Sequence, residues 1–434
     1  MRVRFGSVTS GTHGRAGCGR RARGPAALAA VLAILGTLAP AGCGRELMPV
    51  AAATPDCGPA WVAGWHAAQQ AVPGDQLAGR TLRMAVRVRA DGTHLRLRLS
   101  NRHGDGPLRI GAATVATTAA GGAPGVPTPI RFGDRPDATL PPGAQLRTDP
   151  VPGEVRRGDT VVLSLYLTEV PATISSHPVA MRTAWLSGPG DRTAAPVADG
   201  FDTTLQSWPL LAGVDVLAGR PQAGLLVIGD SLVDGVGSTP DGDDRFPDQL
   251  AARLDAAGGP RVMTVLNAGL SRNQLLQNDP PAGGDSPLRR FDVDVTQVAG
   301  VRDVLLLIGT NDIGAGAGGD ELARGLQEFA DRTRAAGLRV LLATVPPSTS
   351  GGRDAPESVE ARDRVNDRIR TDGPRYADGV IDAAAVLADP PDRSRLRPDY
   401  DSGDGLHLSP SGYRALATAV PLEVLSGSPC RDEG

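Results

Sequence analysis

The pattern of hydrophobic and polar positions changes rhythm once along the chain, near residue 220. Before that point apolar residues alternate with polar ones. In "LRMAVRVRADGTHLRLRLSN" (82–101), leucine, methionine and valine alternate with arginine on both sides of Asp91-Gly92. A period of two belongs to half-buried strands, and Asp-Gly between two such runs predicts a β-hairpin. "GDTVVLSLYLTEV" (158–170) reads as another strand and the Pro/Gly-rich "AAGGAPGVPTP" (119–129) as a loop. Residues 57–215 are therefore expected to form an antiparallel β-sandwich of jelly-roll type. All four tryptophans (Trp61, Trp65, Trp185, Trp208) fall in this region. Core packing is the expectation for them, with a sugar-stacking platform as the other reading.

After residue 220 the apolar runs are short and unbroken: "GLLVI", "VMTVL", "DVLLLI" and "RVLLATV". Segments with helical spacing, such as "DELARGLQEFADRTRAAG", separate them. Unbroken apolar strands alternating with helices predict a parallel sheet covered on both faces, here over residues 221–430. In such sheets functional groups gather beyond the carboxyl ends of the strands.

The first residues read as a targeting segment. Arg15, Arg20, Arg21 and Arg23 precede an apolar run from Ala26 to Ala39, followed by small residues, so 1–43 is expected to be a secretory signal and 44–56 a linker. Cys43 follows Ala41-Gly42 as in a bacterial lipoprotein signal, although Pro40 stands where an aliphatic residue is usual. It is either a lipidation site, which would anchor the chain to a membrane, or incidental to ordinary cleavage nearby. Setting Cys18 and Cys43 aside leaves Cys57 and Cys430. In an oxidising compartment they would pair, which places the protein outside the cell or in the cell envelope; two free thiols are the alternative.

Composition then narrows the chemistry. The chain has 434 residues, 41% of them hydrophobic, a net charge of −3 and a pI near 6.1, so nothing global attracts nucleic acid. Its 45 basic residues are all arginine. Without lysine there is no Ser-x-x-Lys activation, no P-loop lysine and no lysine Schiff base. No serine sits in a G-x-S-x-G context, so the ordinary nucleophile elbow is absent as well.

Four short stretches stand at or near predicted strand ends: Gly229-Asp230-Ser231, "NAGLSRN" (267–273), "GTND" (309–312) and "DSGDGLHLSPSGY" (401–413). Acyl transfer needs a nucleophile, a base within hydrogen-bond reach, an orienting carboxylate and donors for the oxyanion. His407 is the one histidine after residue 221, so a triad built within that half must use it, with Asp404 as its partner. The same count argues against a multi-histidine metal centre. Ser409 is the expected N-cap of the helix that follows. Asp234 and Asp312 are read as structural.

The set "GDS", "NAG", "GTND" and "DGLH", in this order, resembles the four blocks of the SGNH hydrolases, also called the GDSL esterase/lipase family. The resemblance covers roughly residues 221–425 and implies a flavodoxin-like three-layer α/β/α domain. It implies Ser231 as nucleophile, His407 as base and Asp404 as its orienter. The oxyanion would be held by the backbone N–H groups of Ser231 and Gly269 and the side-chain amide of Asn311, with no cofactor or metal. "SRN" after Gly269 is not the commonest continuation of that block. The β-rich first half is similar to that of secreted actinobacterial members. The expected function is a secreted or lipid-anchored serine esterase acting on small-molecule or glycan acyl esters, short-chain or O-acetyl. The alternatives are a lipase or lysophospholipase of the same family, and a non-catalytic extracellular glycan-binding protein.

Overall fold

Five parallel strands form the sheet of the second half, and their sequence explains their burial. In Gly224–Gly229, Leu226 and Ile228 face one side and Leu225 and Val227 the other, so both faces are apolar and both must be covered. Gly319–Ala335 and Pro356–Thr371 supply buried residues such as Phe329 and Ile369 to one side. Phe246–Ala257 and Pro410–Ala419 supply Leu250, Leu254 and Leu416 to the other. The strand order is Thr264–Gly269, Gly224–Gly229, Val301–Leu307, Arg339–Ala343, Gly379–Ile381. That is second, first, third, fourth, fifth in chain order, so the chain reverses its direction of travel across the sheet at Gly224–Gly229. The carboxyl ends of that strand and of its two neighbours therefore lie side by side at the switch point. The parallel sheet and its helical cover agree with the sequence expectation. The fifth strand, three residues long, was not foreseen.

In this computed structural model the described residues are 57–430, apart from 75, 120–124, 196–199, 260–261, 280–281 and 429. The expected signal, the linker and Cys43 lie outside them.

The first half is antiparallel and β-rich. One sheet runs Ala60–His66, Leu211–Ala218, Gly92–Ser100, Gln145–Arg147, with Val151–Val155 also on Gly92–Ser100. A second runs Phe201–Leu205, Ala184–Pro189, Arg80–Arg87, Thr160–Glu169, Leu108–Thr118, and carries two short strands on Leu108–Thr118. A third, of three strands, contains Thr173–His177 between Trp208–Pro209 and Gln70–Pro73. Leu82, Met84 and Val86 of the second sheet share one hydrophobic cluster with Leu95, Leu97 and Leu99 of the first.

This arrangement corrects the hairpin expected around Asp91-Gly92. Arg80–Arg87 pairs with Thr160–Glu169 and Ala184–Pro189, while Gly92–Ser100 pairs with Leu211–Ala218. The turn carries the chain from one sheet to the other, because the apolar faces of both strands are buried against each other across the core rather than side by side in one sheet. Trp65 and Trp208 are buried and meet edge to face, with centroids 4.9 Å apart. Trp185 is half-buried beside Phe201 in a groove of about 660 Å³ on the second sheet.

The two halves are in direct contact. Strand Ala60–His66 packs along Thr264–Gly269, the edge strand of the parallel sheet, and Ala63 N–H donates to Ala299 O at 2.8 Å. A disulfide joins Cys57 to Cys430, with Cα atoms 5.5 Å apart across a sequence separation of 373.

Candidate active site

Strand Gly224–Gly229 ends at Asp230, whose extended backbone and side chain cap a single helical turn, Ser231–Asp234, by accepting from Leu232 N–H at 3.0 Å. Ser231 is thereby the first residue of a helix, where backbone N–H groups have no intrahelical partner. Burial pushes the Asp230 carboxyl up to about 7, and its Oδ2 has no hydrogen-bond partner among the described residues.

The segment bearing His407 reaches Ser231 from 176 residues away in sequence. His407 Nε2 lies 2.9 Å from Ser231 Oγ, and His407 Nδ1 lies 2.6 Å from Asp404 Oδ2. Asp404 also accepts from the backbone N–H groups of Leu406 and His407, at 2.9 and 2.8 Å, which fixes its carboxylate in a tight turn. Burial would raise the Asp404 carboxyl, but these hydrogen bonds outweigh it and hold the group below its ordinary value. Ser409 caps the following helix by accepting from Gly412 N–H, as expected. An imidazole whose Nδ1–H is taken by a carboxylate presents its Nε2 lone pair to the hydroxyl, so the geometry suits proton abstraction from Ser231.

Asn311 is the second residue of a short helix following strand Val301–Leu307. Arg353 Nη2 donates to Asn311 Oδ1 at 3.0 Å, and Arg353 Nε binds Thr310 O at 3.0 Å. A guanidinium can only donate, so the carbonyl side of the Asn311 amide faces Arg353 and its NH₂ faces away, donating to Asn273 O at 3.1 Å. Asp312, which burial pushes up, accepts from Leu275 and Leu276 N–H at 3.0 and 2.9 Å and ties this helix to the 267–276 loop. Arg353 carried no sequence signal, since it stands in a loop with no block around it.

Gly269 does not meet its expectation. Its N–H donates to Asn267 Oδ1 at 2.8 Å, within its own strand end, and is not free for an oxyanion. Glycine is required there for another reason: a Cβ would stand 2.2 Å from Asp234 N. Three residues on, Arg272 has φ +66°, the left-handed region, and its N–H makes no hydrogen bond among the described residues. A positive φ in a residue other than glycine was not visible in "SRN", although that departure from the usual continuation was the clue.

Asp234, read as structural, is wholly buried and ties elements together. Its Oδ2 accepts from Ser271 N–H at 2.9 Å and from Ser271 Oγ–H at 2.5 Å. Its Oδ1 lies 2.8 Å from Nε2 of His177, in the β-rich half. A second buried connection leaves the same loop. Arg290, 1% exposed, donates to Asn273 Oδ1 and Asp294 Oδ2, both at 2.9 Å, and Asp294 Oδ1 lies 3.2 Å from His66 Nε2. His66 Nδ1 faces the Arg98 guanidinium at 3.1 Å and must accept there, so this imidazole is neutral. Burial lowers its pKa accordingly.

Residues 227–415 match the model of the GDSL-like Lipase/Acylhydrolase family. No curated protein matches the chain. Among solved structures it is similar to a carbohydrate acetylesterase family member from Sinorhizobium meliloti, at 18% identity over 46% of this chain and 95% of that one, with a TM-score of 0.36. It is also similar to the native M. smegmatis aryl esterase, at 19% identity over 45% of this chain and 95% of that one, with a TM-score of 0.36.

Proposed function

We propose that the chain is a hydrolase of the GDSL-like lipase/acylhydrolase family, whose model matches residues 227–415, and that Ser231, His407 and Asp404 are its catalytic triad. One observation carries the reading: His407 stands between Ser231 Oγ at 2.9 Å and Asp404 Oδ2 at 2.6 Å. Ser231 attacks the acyl carbonyl as His407 takes its proton, and His407 then returns the proton to the departing alcohol. Water, deprotonated by the same imidazole, hydrolyses the acyl-enzyme. Asp404 keeps the imidazole in the tautomer that accepts at Nε2. The oxyanion is met by the Ser231 N–H at its helix N-terminus and by the inward amide of Asn311.

The substrate is an acyl ester of short chain, with an O-acetylated glycan as the leading class. The absence of a long hydrophobic segment between the sequence blocks supports a short acyl chain. We also place the protein outside the cell or in its envelope. That is supported by the basic and apolar first residues, and by the disulfide, which persists in oxidising compartments. The β-rich half is read as a jelly-roll-like sandwich, supported by its two larger sheets sharing one hydrophobic cluster.

The test is hydrolysis of p-nitrophenyl acetate, butyrate and decanoate by the mature protein, beside Ser231→Ala and with EDTA. Turnover of the short esters that survives EDTA and vanishes in the variant is the expected result. Folded protein with no turnover on any ester, or a Ser231→Ala variant as active as the parent, would sink it.

A further inference from the structure

His177 ends strand Thr173–His177, is 2% exposed, and has the Trp208 ring against it at 5.3 Å. Its Nδ1 is 2.9 Å from Ala68 O and its Nε2 3.0 Å from Val179 O. A carbonyl oxygen can only accept, so both ring nitrogens carry hydrogen and the side chain is an imidazolium. Its charge is met by the Asp234 carboxylate, 2.8 Å from Nε2 and itself out of contact with water. Burial and the nearby Arg245 guanidinium oppose that proton; Asp234 outweighs them, and the pKa of His177 stands above its ordinary value. Arg245 is engaged by Asp248 at 2.7 Å, so it does not compete for Asp234.

Asp234 closes the one helical turn that Ser231 opens, and a helix this short has no stability of its own. Its conformation depends on what its last residue holds. Through Ser271 that residue holds the loop that carries Arg272 and Asn273.

We propose that His177 is a positioning residue for the reaction at Ser231: a buried cation supplied by the β-rich half holds the Asp234 carboxylate in place, and with it the 270–273 loop against the nucleophile's helix. This inference rests on the reading of Ser231 as the nucleophile. The β-rich half is then part of the catalytic apparatus rather than a detachable binding module. His66 on the Asp294–Arg290 side is neutral and meets the loop only at its far end, so the charged link is made by His177.

The full-length mature protein is assayed on p-nitrophenyl acetate as wild type, His177→Gln, Asp234→Asn, the double variant and Ser271→Ala. Hydrogen exchange is followed in the peptide covering 267–276. Glutamine cannot present two donors and a charge, so His177→Gln is expected to lower kcat at least tenfold with KM within twofold. The double variant should lose less than the product of the two single losses, because both break one link. Ser271→Ala strands no buried charge and should lower kcat three- to tenfold. Exchange across 267–276 should quicken in each variant.

A folded His177→Gln with kcat within twofold of wild type, or fully multiplicative losses, overturns the proposal. If His177→Gln does not fold, Ser271→Ala decides, and unchanged kcat and exchange there overturn it. If wild type itself neither hydrolyses the ester nor reacts with a fluorophosphonate at Ser231, the nucleophile reading fails. The exchange measurement then still decides whether His177 orders the loop.

Discussion

In the proposed reading Asn311 donates to an oxyanion at Ser231 through its NH₂, and Arg353 holds that amide's orientation by occupying Oδ1. Asn311→Ala should reduce kcat by roughly 10²–10³-fold, the usual cost of losing such a donor. Arg353→Ala leaves the donor present but free to turn, and should cost about tenfold in kcat, equivalent to about 1.4 kcal/mol; steady-state kinetics on a short ester separates the two. Asp230 offers a test in pH. Its folded pKa of about 7 lies above the unfolded value of 3.8, so the neutral carboxyl stabilises the fold at low pH. That contribution is lost as pH rises through 7, where the charge must be buried. The cost above pH 7 is on the order of 4 kcal/mol, and asparagine, which also caps helices, avoids it. Asp230→Asn should therefore raise Tm at pH 8.5 and do so less at pH 5; an equal shift at both would refute the assignment. Ser231, Asn311, Asp404 and His407 were legible because each sits in a short block whose chemistry is local. His177, Arg290 and Arg353 were not. Each acts through a contact with a residue distant in sequence, and no periodicity marks it.

At the level of elements, the strand-to-helix turns were foreseen from apolar runs that stop at small or polar residues, and those turns carry the site. The partners of the antiparallel strands were not. Alternation fixes which face of a strand is buried, but the runs on either side of Asp91-Gly92 bury the same kind of face whether they lie in one sheet or in two. Gly269 shows the converse: a residue chosen for a donated N–H is needed instead for its missing side chain. Gly269→Ala puts a methyl 2.2 Å from Asp234 N and must displace the Ser231–Asp234 turn. It should destabilise the protein by about 1–3 kcal/mol, as overpacking does, and lower kcat as well. Urea unfolding together with turnover checks both, and a stable, fully active variant would show that the turn tolerates displacement.

Across the whole molecule, the β-rich half covers the Thr264–Gly269 edge of the parallel sheet, and the disulfide fastens Cys57 near its start to Cys430 near the chain's end. Closing so long a loop restricts the unfolded chain, so Cys57→Ser with Cys430→Ser should cost about 2–4 kcal/mol of stability, read as a lower denaturant midpoint with unchanged kcat. No loss of stability would mean that the unfolded chain is already constrained. The sequence by itself determined the change from antiparallel to parallel strands and the short blocks that hold Ser231, His407 and Asp404, the residues proposed as the triad. These depend on hydrophobic period and on side-chain types confined to short blocks. Only the tertiary structure decided which N–H groups are free, which way Asn311 faces, and that His177 meets Asp234. A hydrogen bond is either made or not according to a few tenths of an ångström between residues far apart in the chain, and that distance is a property of packing.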